Sequence, residues 1–467
     1  MTKRFFPVAF LLLTALGFVG CSNEEEDLFD HSAAERLNAI SNTYTQRLAD
    51  SKGGWVLEYY PYTNNEDMLT GGGYLIMNRF HDNGAVYTLM KNSLTNNKIM
   101  EDSTAFEVIT DMGPVLTYNT YNKNLGLFAD PTDIPSTDSD ESGKGFQGDY
   151  EFVMVDVPEN GDHIMLKGKK RGLYERLSRV PEGTDFEEYL DDIEQFRTSH
   201  FVTDAPWELV MNEGGTRYNM NWMYRGYATV YPEGKDSVAY GWQEPFLVTK
   251  YNDKYHLRFK DTLMVDGHQM EQEFVYSVED DKFYGVLNSE NTIEGYPSDQ
   301  FFALTLDNSH YWDTSVTGEY SDKLKDYFDK LVEGYASMVD SKDKQKRHYS
   351  FVGISLNKGT QKVDGQNVKV DCWNVVYKQP SKSGNAMASF VFDTSFAEEG
   401  GKVTFTYREP LDAASGNMAT LFDGAPGNLI AFLSRTYFIS AADSNFNLRR
   451  LKLVAEDDPE VWFIINY

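Results

Sequence analysis

Residues 74–90, which read YLIMNRFHDNGAVYTLM, indicate how this chain folds. Two runs rich in apolar, β-branched and aromatic residues, Tyr74–Phe80 and Val86–Met90, flank the dipeptide Asn83-Gly84. Type I′ turns favour this dipeptide, because both of their central residues need a positive φ. The stretch therefore predicts an antiparallel β-hairpin with a type I′ turn.

The same pattern continues on both sides of the hairpin. Five more runs predict strands at Trp55–Tyr62, Ala105–Thr110, Val115–Tyr121, Tyr150–Val157 and Ile164–Lys169. A polar loop at 130–148 interrupts them, and Asn160-Gly161 predicts a second hairpin turn. Seven strands with mostly short connections predict an antiparallel meander that closes into a barrel or packs as a curved sheet.

Amphipathic helices separate the β regions. A capping box at residues 32–35 (SAAE) starts the first predicted helix, which Gly53-Gly54 ends. A second helix is predicted to begin at Thr184, and a third to span Ser321–Val339. A broken helix is predicted at about Asn417–Arg435. The apolar stripes of the three amphipathic helices predict docking against a sheet rather than a cofactor site.

Two further β regions follow the second and third helices. The first is predicted to contain Trp207–Met211, Tyr227–Tyr231, Val238–Trp242, Phe246–Tyr251, Tyr255–Phe259, Gln272–Ser277 and Phe283–Val286, with a turn at Asp266-Gly267. The other is predicted to contain His348–Leu356, Val368–Tyr377, Ala388–Phe392, Lys402–Tyr407, Leu451–Val454 and Val461–Ile465. The predicted fold is therefore mainly β with a few helices (α+β), in antiparallel meander or barrel-like β units packed with amphipathic helices.

The predicted organisation divides the 467 residues into five segments. They are a signal peptide (1–20), an acidic lipidated tether (21–29), an N-terminal helix plus β-meander domain (30–200), a second β unit (201–310) and a C-terminal helix plus β domain (311–467). Three folded domains agree with the usual domain size for this length.

The composition excludes several classes of function. The chain has 72 Asp and Glu against 43 Lys and Arg, a formal net charge of -29, so nucleic acid is not an expected partner. Its two cysteines, Cys21 and Cys372, exclude a disulfide scaffold and multi-thiolate metal sites. Cys372 lies in a predicted strand without adjacent basic residues, which predicts a buried, unreactive thiol.

The N-terminus resembles a bacterial lipoprotein signal. Lys3 and Arg4 precede the apolar run Phe5–Val19, which is too short for a permanent membrane-spanning helix. The run ends in residues 16–21, LGFVGC, which resemble a lipobox: a small residue before a cysteine whose thiol forms a thioether to diacylglycerol. Acylated Cys21 would anchor the chain in a lipid bilayer, because two or three acyl chains bind stably where one does not. The alternative is an ordinary secretory signal followed by a chance cysteine.

Acidic residues follow Cys21 directly. Residues 22–27, SNEEED, resemble the export tag that directs Bacteroidetes lipoproteins to the outer face of the outer membrane. The alternative is a solvated tether that its like charges keep extended. We therefore expect a lipid-anchored protein of the outer membrane, exposed at the cell surface.

Several motifs resemble one family. They are residues 28–38 (LFDHSAAERLN), 54–55 and 59–61 (GW, YYP), 72–74 (GGY), 111–116 and 120–122 (DMGPVL, TYN), 148–152 (GDYEF) and 166–170 (LKGKK). These motifs resemble the Bacteroidetes lipoprotein family numbered 4302 among domains of unknown function. The resemblance implies a membrane-anchored lipoprotein whose relatives are encoded near outer-membrane nutrient-uptake systems of the starch-utilisation type and near predicted zinc peptidases. It brings no established catalytic residues.

Motifs for specific chemistry are lacking in the sequence. The eight histidines show no His-Glu-x-x-His spacing, and there is no Gly-x-Ser-x-Gly, phosphate-loop or dinucleotide motif. We therefore predict no catalytic residue, no cofactor and no metal ligand. The acidic residues within Asp138–Gly143 suggest a calcium loop, and a solvated loop is the alternative. Eight aromatic residues could stack on sugars or fill cores, with core as the default: Tyr59, Tyr60, Tyr62, Trp207, Trp222, Tyr224, Trp242 and Trp373.

These observations lead to one functional expectation and two alternatives. We expect a surface lipoprotein that binds an extracellular glycan or peptide as an accessory to nutrient uptake, beside outer-membrane uptake proteins of the starch-utilisation type. The first alternative is a carboxylate-dependent, glycosidase-like hydrolase, because a catalytic carboxylate pair is defined in space and not in sequence. The second is a structural or adhesive envelope subunit.

Overall fold

The computed structural model describes residues 32–62, 72–111, 113–130, 146–159, 161–201, 208–223, 226–235, 244–307, 312–314, 319–324, 326, 342–347, 350–416 and 433–467. Three closed, eight-stranded barrels account for almost all of the strands in these ranges. The helices are short. The predicted mainly β, barrel-like α+β fold is thus confirmed.

The first barrel contains β1 to β8, hydrogen-bonded in chain order. These are Trp55–Tyr59, Tyr74–Phe80, Ala85–Met90, Met100–Thr110, Pro114–Tyr118, Glu151–Asp156, His163–Gly168 and Tyr174–Arg179. Along β7, Ile164, Leu166 and Gly168 are buried and the residues between them are half-buried, as expected when one face of a strand lines a barrel. Helix α1 (Ala33–Ala49) precedes the barrel, and α2 (Lys123–Ala129) connects β5 to β6.

The second barrel contains β9 to β13 and β16 to β18. Its strands are Glu208–Glu213, Thr216–Met223, Tyr227–Pro232, Glu244–Tyr251, Lys254–Phe259, Glu273–Ser277, Lys282–Gly285 and Thr292–Glu294. The small hairpin of β14 (Met264–Val265) and β15 (His268–Gln269) is inserted between β13 and β16. Helix α3 (Phe186–His200) packs its buried residues Ile193 and Phe196 into this core.

The third barrel contains β19 to β26. Its strands are Trp312–Asp313, Ser350–Val363, Gln366–Lys378, Asn385–Phe396, Lys402–Pro410, Thr436–Ala441, Arg450–Ala455 and Trp462–Asn466. Helix α4 (Ser298–Asp307) precedes it and contributes Phe302 to a core that also contains Trp312, Trp373 and Phe463.

Turn chemistry explains one confirmed turn and one wrong prediction. Asp266 and Gly267 both have positive φ, 49° and 81°, as a type I′ turn requires. At Asn83-Gly84 the predicted hairpin forms, with Phe80 opposite Val86, but the type I′ turn is wrong. In that turn Gly84 has a positive φ of 81°, and the amides of His81 and Gly84 bond to the carbonyls of Ala85 and His81 in a longer loop.

The predicted helix ends need correction. The capping box of α1 is confirmed by hydrogen bonds between Ser32 and Glu35, but the helix ends at Ala49, before Gly53-Gly54. Helix α3 begins at Phe186, two residues later than predicted, because the N-cap is Asp185, whose carboxylate accepts the free amides of Glu187 and Glu188. Residues 322–324 and 326 of the predicted third helix are helical, and the rest lies outside the described residues.

Sequence patterns missed several elements. These are α2, α4, β8, β10, β14, β15, β18, β19 and β24. The predicted strand Val238–Trp242 and most of the predicted helix Asn417–Arg435 lie outside the described residues.

The chain forms two compact units. Among the described residues, one unit comprises those up to 57 together with 76–90 and 100–184, and the other comprises 58–75, 91–99 and 185–467. The second unit therefore holds both the second and the third barrel. Across the described ranges, no helix combines the length and the apolar character needed to cross a membrane.

Candidate ligand-binding surface

The aromatic residues that could stack on sugars have three outcomes. Tyr59, Tyr60 and Trp373 are at most 1% exposed, so they fill cores as the default predicted. Tyr62 is half-buried. Trp207, Tyr224 and Trp242 lie outside the described residues, as does the side chain of Trp222.

The other sequence-derived sites have separate outcomes. Cys21 and the acidic loop Asp138–Gly143 lie outside the described residues. Cys372 is fully buried, which confirms the predicted burial, and burial raises the pKa of its thiol to about 11.

Exposed tyrosines instead surround one end of the first barrel. Tyr121, Tyr150 and Tyr174 are 61%, 52% and 51% exposed. Because adjacent strands are antiparallel, the end of β5, the start of β6, the end of β7 and the start of β8 meet at this end. Tyr121 follows β5, Tyr150 immediately precedes β6 and Tyr174 begins β8.

A buried carboxylate shapes the turn between β7 and β8. The Asp149 side chain, 7% exposed, accepts hydrogen bonds from the backbone amides of Lys170 (3.0 Å) and Arg171 (2.9 Å). A Cβ atom on Gly168 would overlap an Asp149 carboxylate oxygen, so glycine permits this close approach. Gly172 has a φ of 76°, in the left-handed region. The buried Asp149 carboxylate therefore stabilises the conformation of this turn.

Cations cluster on this turn. Residues 167–171 read KGKKR, four cations among five residues. The Lys167 ammonium lies 5.2 Å from the centre of the Tyr174 ring, within cation–π range. The Lys169 backbone amide bonds to the Glu151 carbonyl at 2.9 Å, which places the turn alongside Tyr150. Lys170 is exposed.

Among these cations, Lys169 forms two ion pairs with neighbouring carboxylates. Its ammonium lies 2.9 Å from Asp111 and 3.3 Å from Glu151. The hydrogen bond that the Lys169 ammonium donates to Asp111 is the main cause that raises the pKa of Lys169. We call Tyr150, Lys167, Lys169, Lys170, Arg171 and Tyr174 the Lys-Tyr surface.

The Lys-Tyr surface offers two kinds of group that can bind a ligand. Its ring faces can pack on apolar or C–H surfaces, and its ammonium and guanidinium groups can pair with anions. Where the structure is described, no three His, Cys, Asp or Glu side chains are grouped to hold a metal ion. The KGKKR run is visible in the sequence and could have indicated a basic surface. Its position beside Tyr150 could not be predicted, because it depends on the pairing of β6 with β7.

A second polar cluster lies at one end of the second barrel. The Glu213 carboxylate accepts the Glu271 backbone amide at 2.6 Å, and among the described residues nothing hydrogen-bonds to its other oxygen, which is buried. Burial, with a smaller effect of the Glu271 charge, raises the pKa of Glu213 to about 7. Glu271 itself accepts the amides of Leu287 (2.8 Å) and Asn288 (3.3 Å), and Asn291 donates to it at 3.2 Å. Through these hydrogen bonds Glu271 stabilises the loop between β17 and β18.

Three solved structures align with this chain at low TM-scores. The DNA polymerase sliding clamp from Pseudomonas aeruginosa is 9% identical and aligns over 92% of this chain and 97% of its own, with a TM-score of 0.14. The DNA polymerase III β chain from Streptococcus pneumoniae is 11% identical over the same shares, also at 0.14. Intact Ap-TbpB (N and C lobes) is 8% identical over 88% and 74%, at 0.13. TM-scores this low carry no argument about fold or function.

Sequence comparison identifies a family. No curated protein matches the chain. The family described as "Domain of unknown function (DUF4302)" matches residues 25–277, more than half of the chain, including β1 to β13 and the whole Lys-Tyr surface. The chain therefore belongs to the DUF4302 family.

Proposed function

We propose that this protein is a surface-exposed outer-membrane lipoprotein that binds an extracellular glycan or peptide as an accessory to nutrient uptake. The observation that carries the binding part is the Lys-Tyr surface, where half-exposed tyrosines flank a rigid basic turn. The lipobox-like residues 16–21 and the acidic residues after Cys21 support the anchored part.

The anchor has a direct test. Acylation of Cys21 would hold the chain in the bilayer. The family resemblance implies that outer-membrane uptake proteins of the starch-utilisation type would lie beside it. Mass spectrometry of the mature N-terminus is expected to show an acylated Cys21, and Cys21→Ser is expected to release the protein from membranes. Protease added to intact cells is expected to cut the wild-type protein. An unmodified N-terminal cysteine would contradict the anchor, and protection from protease would contradict surface exposure.

Ligand binding needs a separate test. The mature chain, solubilised in detergent, is screened against arrays of glycans and of peptides. Tyr174→Ala is expected to weaken binding about tenfold, because it removes one ring face. Phe438→Ala is the matched control: Phe438 is 45% exposed on the third barrel and has Lys402 5.1 Å from its ring centre. Equal effects of the two variants would contradict binding at the Lys-Tyr surface.

A hydrolase is the second candidate function, favoured by Glu213 alone. A carboxyl group with a pKa of about 7 and one unpartnered oxygen could act as a general acid. The hydrogen bonds that hold Glu271 argue that this pair stabilises a loop. If the protein hydrolyses polysaccharides and Glu213→Gln abolishes the hydrolysis, the hydrolase function is supported over the ligand-binding function.

A further inference from the structure

We propose that the Lys-Tyr surface recognises an anionic carbohydrate, an oligosaccharide that carries carboxylate or sulfate groups. This inference rests on the proposed function and names the ligand class for the same surface. It is drawn from the charge of the turn, the exposure of the rings and the closure of the barrel.

The local charge favours an anionic ligand. The described carboxylates that contact this turn are already engaged: Asp149 accepts two backbone amides, and Asp111 and Glu151 pair with Lys169. Within the described part of the chain, neither Lys167 nor Lys170 forms an ion pair. The Lys170 ammonium, and the Lys167 ammonium beside the Tyr174 ring, can therefore pair with an anionic ligand.

The net charge of -29 limits which anions can bind. At physiological ionic strength the Debye length is about 8 Å, so a ligand bound to the turn is affected mainly by the charges nearest to it. A long, densely charged polyanion would extend beyond the turn and meet the negative field of the rest of the protein. A sparsely charged oligosaccharide would place its few anions on the turn.

The tyrosines favour carbohydrate over peptide. Tyr150 and Tyr174 are each about half exposed on either side of the cations, and such ring faces pack well on the C–H faces of sugar rings. A peptide commonly binds a β protein by adding a strand to a free sheet edge. The strands of the first barrel close on themselves, which removes that route at this site.

A paired array tests the ligand class. The detergent-solubilised mature chain is presented with uronic-acid oligosaccharides, their carboxyl-reduced neutral counterparts, sulfated oligosaccharides, polyglutamate and a single-stranded DNA oligonucleotide. An acidic or sulfated glycan is expected to bind at least about tenfold more tightly than its neutral counterpart. Its affinity is expected to fall as salt is raised, because the attraction is electrostatic.

Variants then locate the binding. Lys170→Gln and Tyr174→Ala are each expected to weaken acidic-glycan binding about tenfold. Lys382→Gln, at an exposed lysine on a turn of the third barrel, and Phe438→Ala are expected to leave it unchanged. Melting temperatures of all four variants confirm that each is folded.

The possible results separate this inference from the proposed function. Equal binding of neutral and acidic glycans, or binding that the two test variants leave intact, would overturn the anionic-carbohydrate inference while ligand binding stands. Preference for polyglutamate or DNA would overturn the inference as well. If neither glycan nor peptide binds, the proposed function itself fails.

Discussion

Glu213 shows how a single side chain can make stability depend on pH. Its pKa of about 7 lies above the ordinary value of 4.5, because burial disfavours the charged form. The folded protein therefore binds this proton more tightly than the unfolded chain does. The contribution of Glu213 to the free energy of unfolding is then fully present below pH 4.5 and is lost as the pH rises through about 7.

The variant Glu213→Gln tests this dependence, since glutamine resembles the protonated acid. We expect it to be more stable than the wild type at pH 8, by about 1 kcal/mol after allowance for solvent screening of a partly buried group. The gain should vanish at pH 4. Urea unfolding at both pH values measures the difference, with the exposed Glu290→Gln as control. A gain that is equal at both pH values would contradict the proposed cause.

Cys372 provides a second prediction at the scale of a residue. The buried thiol has a pKa of about 11, so little nucleophilic thiolate is present near neutral pH. A Cys21→Ser chain, which keeps Cys372 as its one thiol, is expected to resist a thiol reagent when folded and to react fully in denaturant. Rapid labelling of the folded chain would show that the thiol is accessible.

Helix α3 carries the prediction at the scale of an element. Asp185 accepts the amides of Glu187 (2.9 Å) and Glu188 (3.0 Å), whereas Thr184 donates to the Pro181 carbonyl at 2.7 Å. Asp185→Ala is expected to lower the free energy of unfolding by about 1 kcal/mol, because it removes the N-cap. Chemical denaturation measures the change. A larger loss from Thr184→Ala would place the cap one residue earlier.

Strands could be predicted where the buried residues are apolar. They could not be predicted where charged residues are buried. The runs at Tyr74–Phe80 and Tyr255–Phe259 alternate or cluster apolar residues, and both form strands close to the predicted ends. Strand β8 reads YERLSR and was missed, although Glu175 and Arg176 are 2% and 7% exposed. Both charged side chains have partners in the fold, and pairing of that kind is a tertiary property that a pattern of polarity does not contain.

The candidate surface was predictable to a similar extent. Residues 166–170 and 148–152 are separate motifs in the sequence, and the basic run 167–171, which overlaps the first motif, is evident there. Their adjacency comes from Phe152 pairing with Gly168 across β6 and β7. Strand register depends on the whole barrel, so neither motif alone could indicate it.

At the scale of the whole molecule, Phe446 couples the second and third barrels. It lies between β24 and β25 of the third barrel, yet it is 2% exposed within the core of the second, 5.4 Å from the ring of Phe283. The neighbouring Asn445 amide bonds to the Asp281 carboxylate at 2.6 Å. These contacts predict that the two barrels unfold together.

Phe446→Ala tests that coupling. The variant is expected to lose about 3–5 kcal/mol, because it leaves a cavity in an aromatic core, and to split one calorimetric transition into two. Phe438→Ala, on the exposed face of β24, should change little. A single transition that does not move would show that the barrels are stabilised independently of this side chain.

The close approach of Gly168 to Asp149 has a consequence for the relatives of this chain. An added methyl group at position 168 would push the carboxylate away from the two amides that it anchors, so the loop could no longer keep its shape. The two positions should thus vary in concert across an alignment of the family. Family members that lack an acidic residue at position 149 could carry a larger residue at position 168. We expect those members to have lost binding of the same ligand.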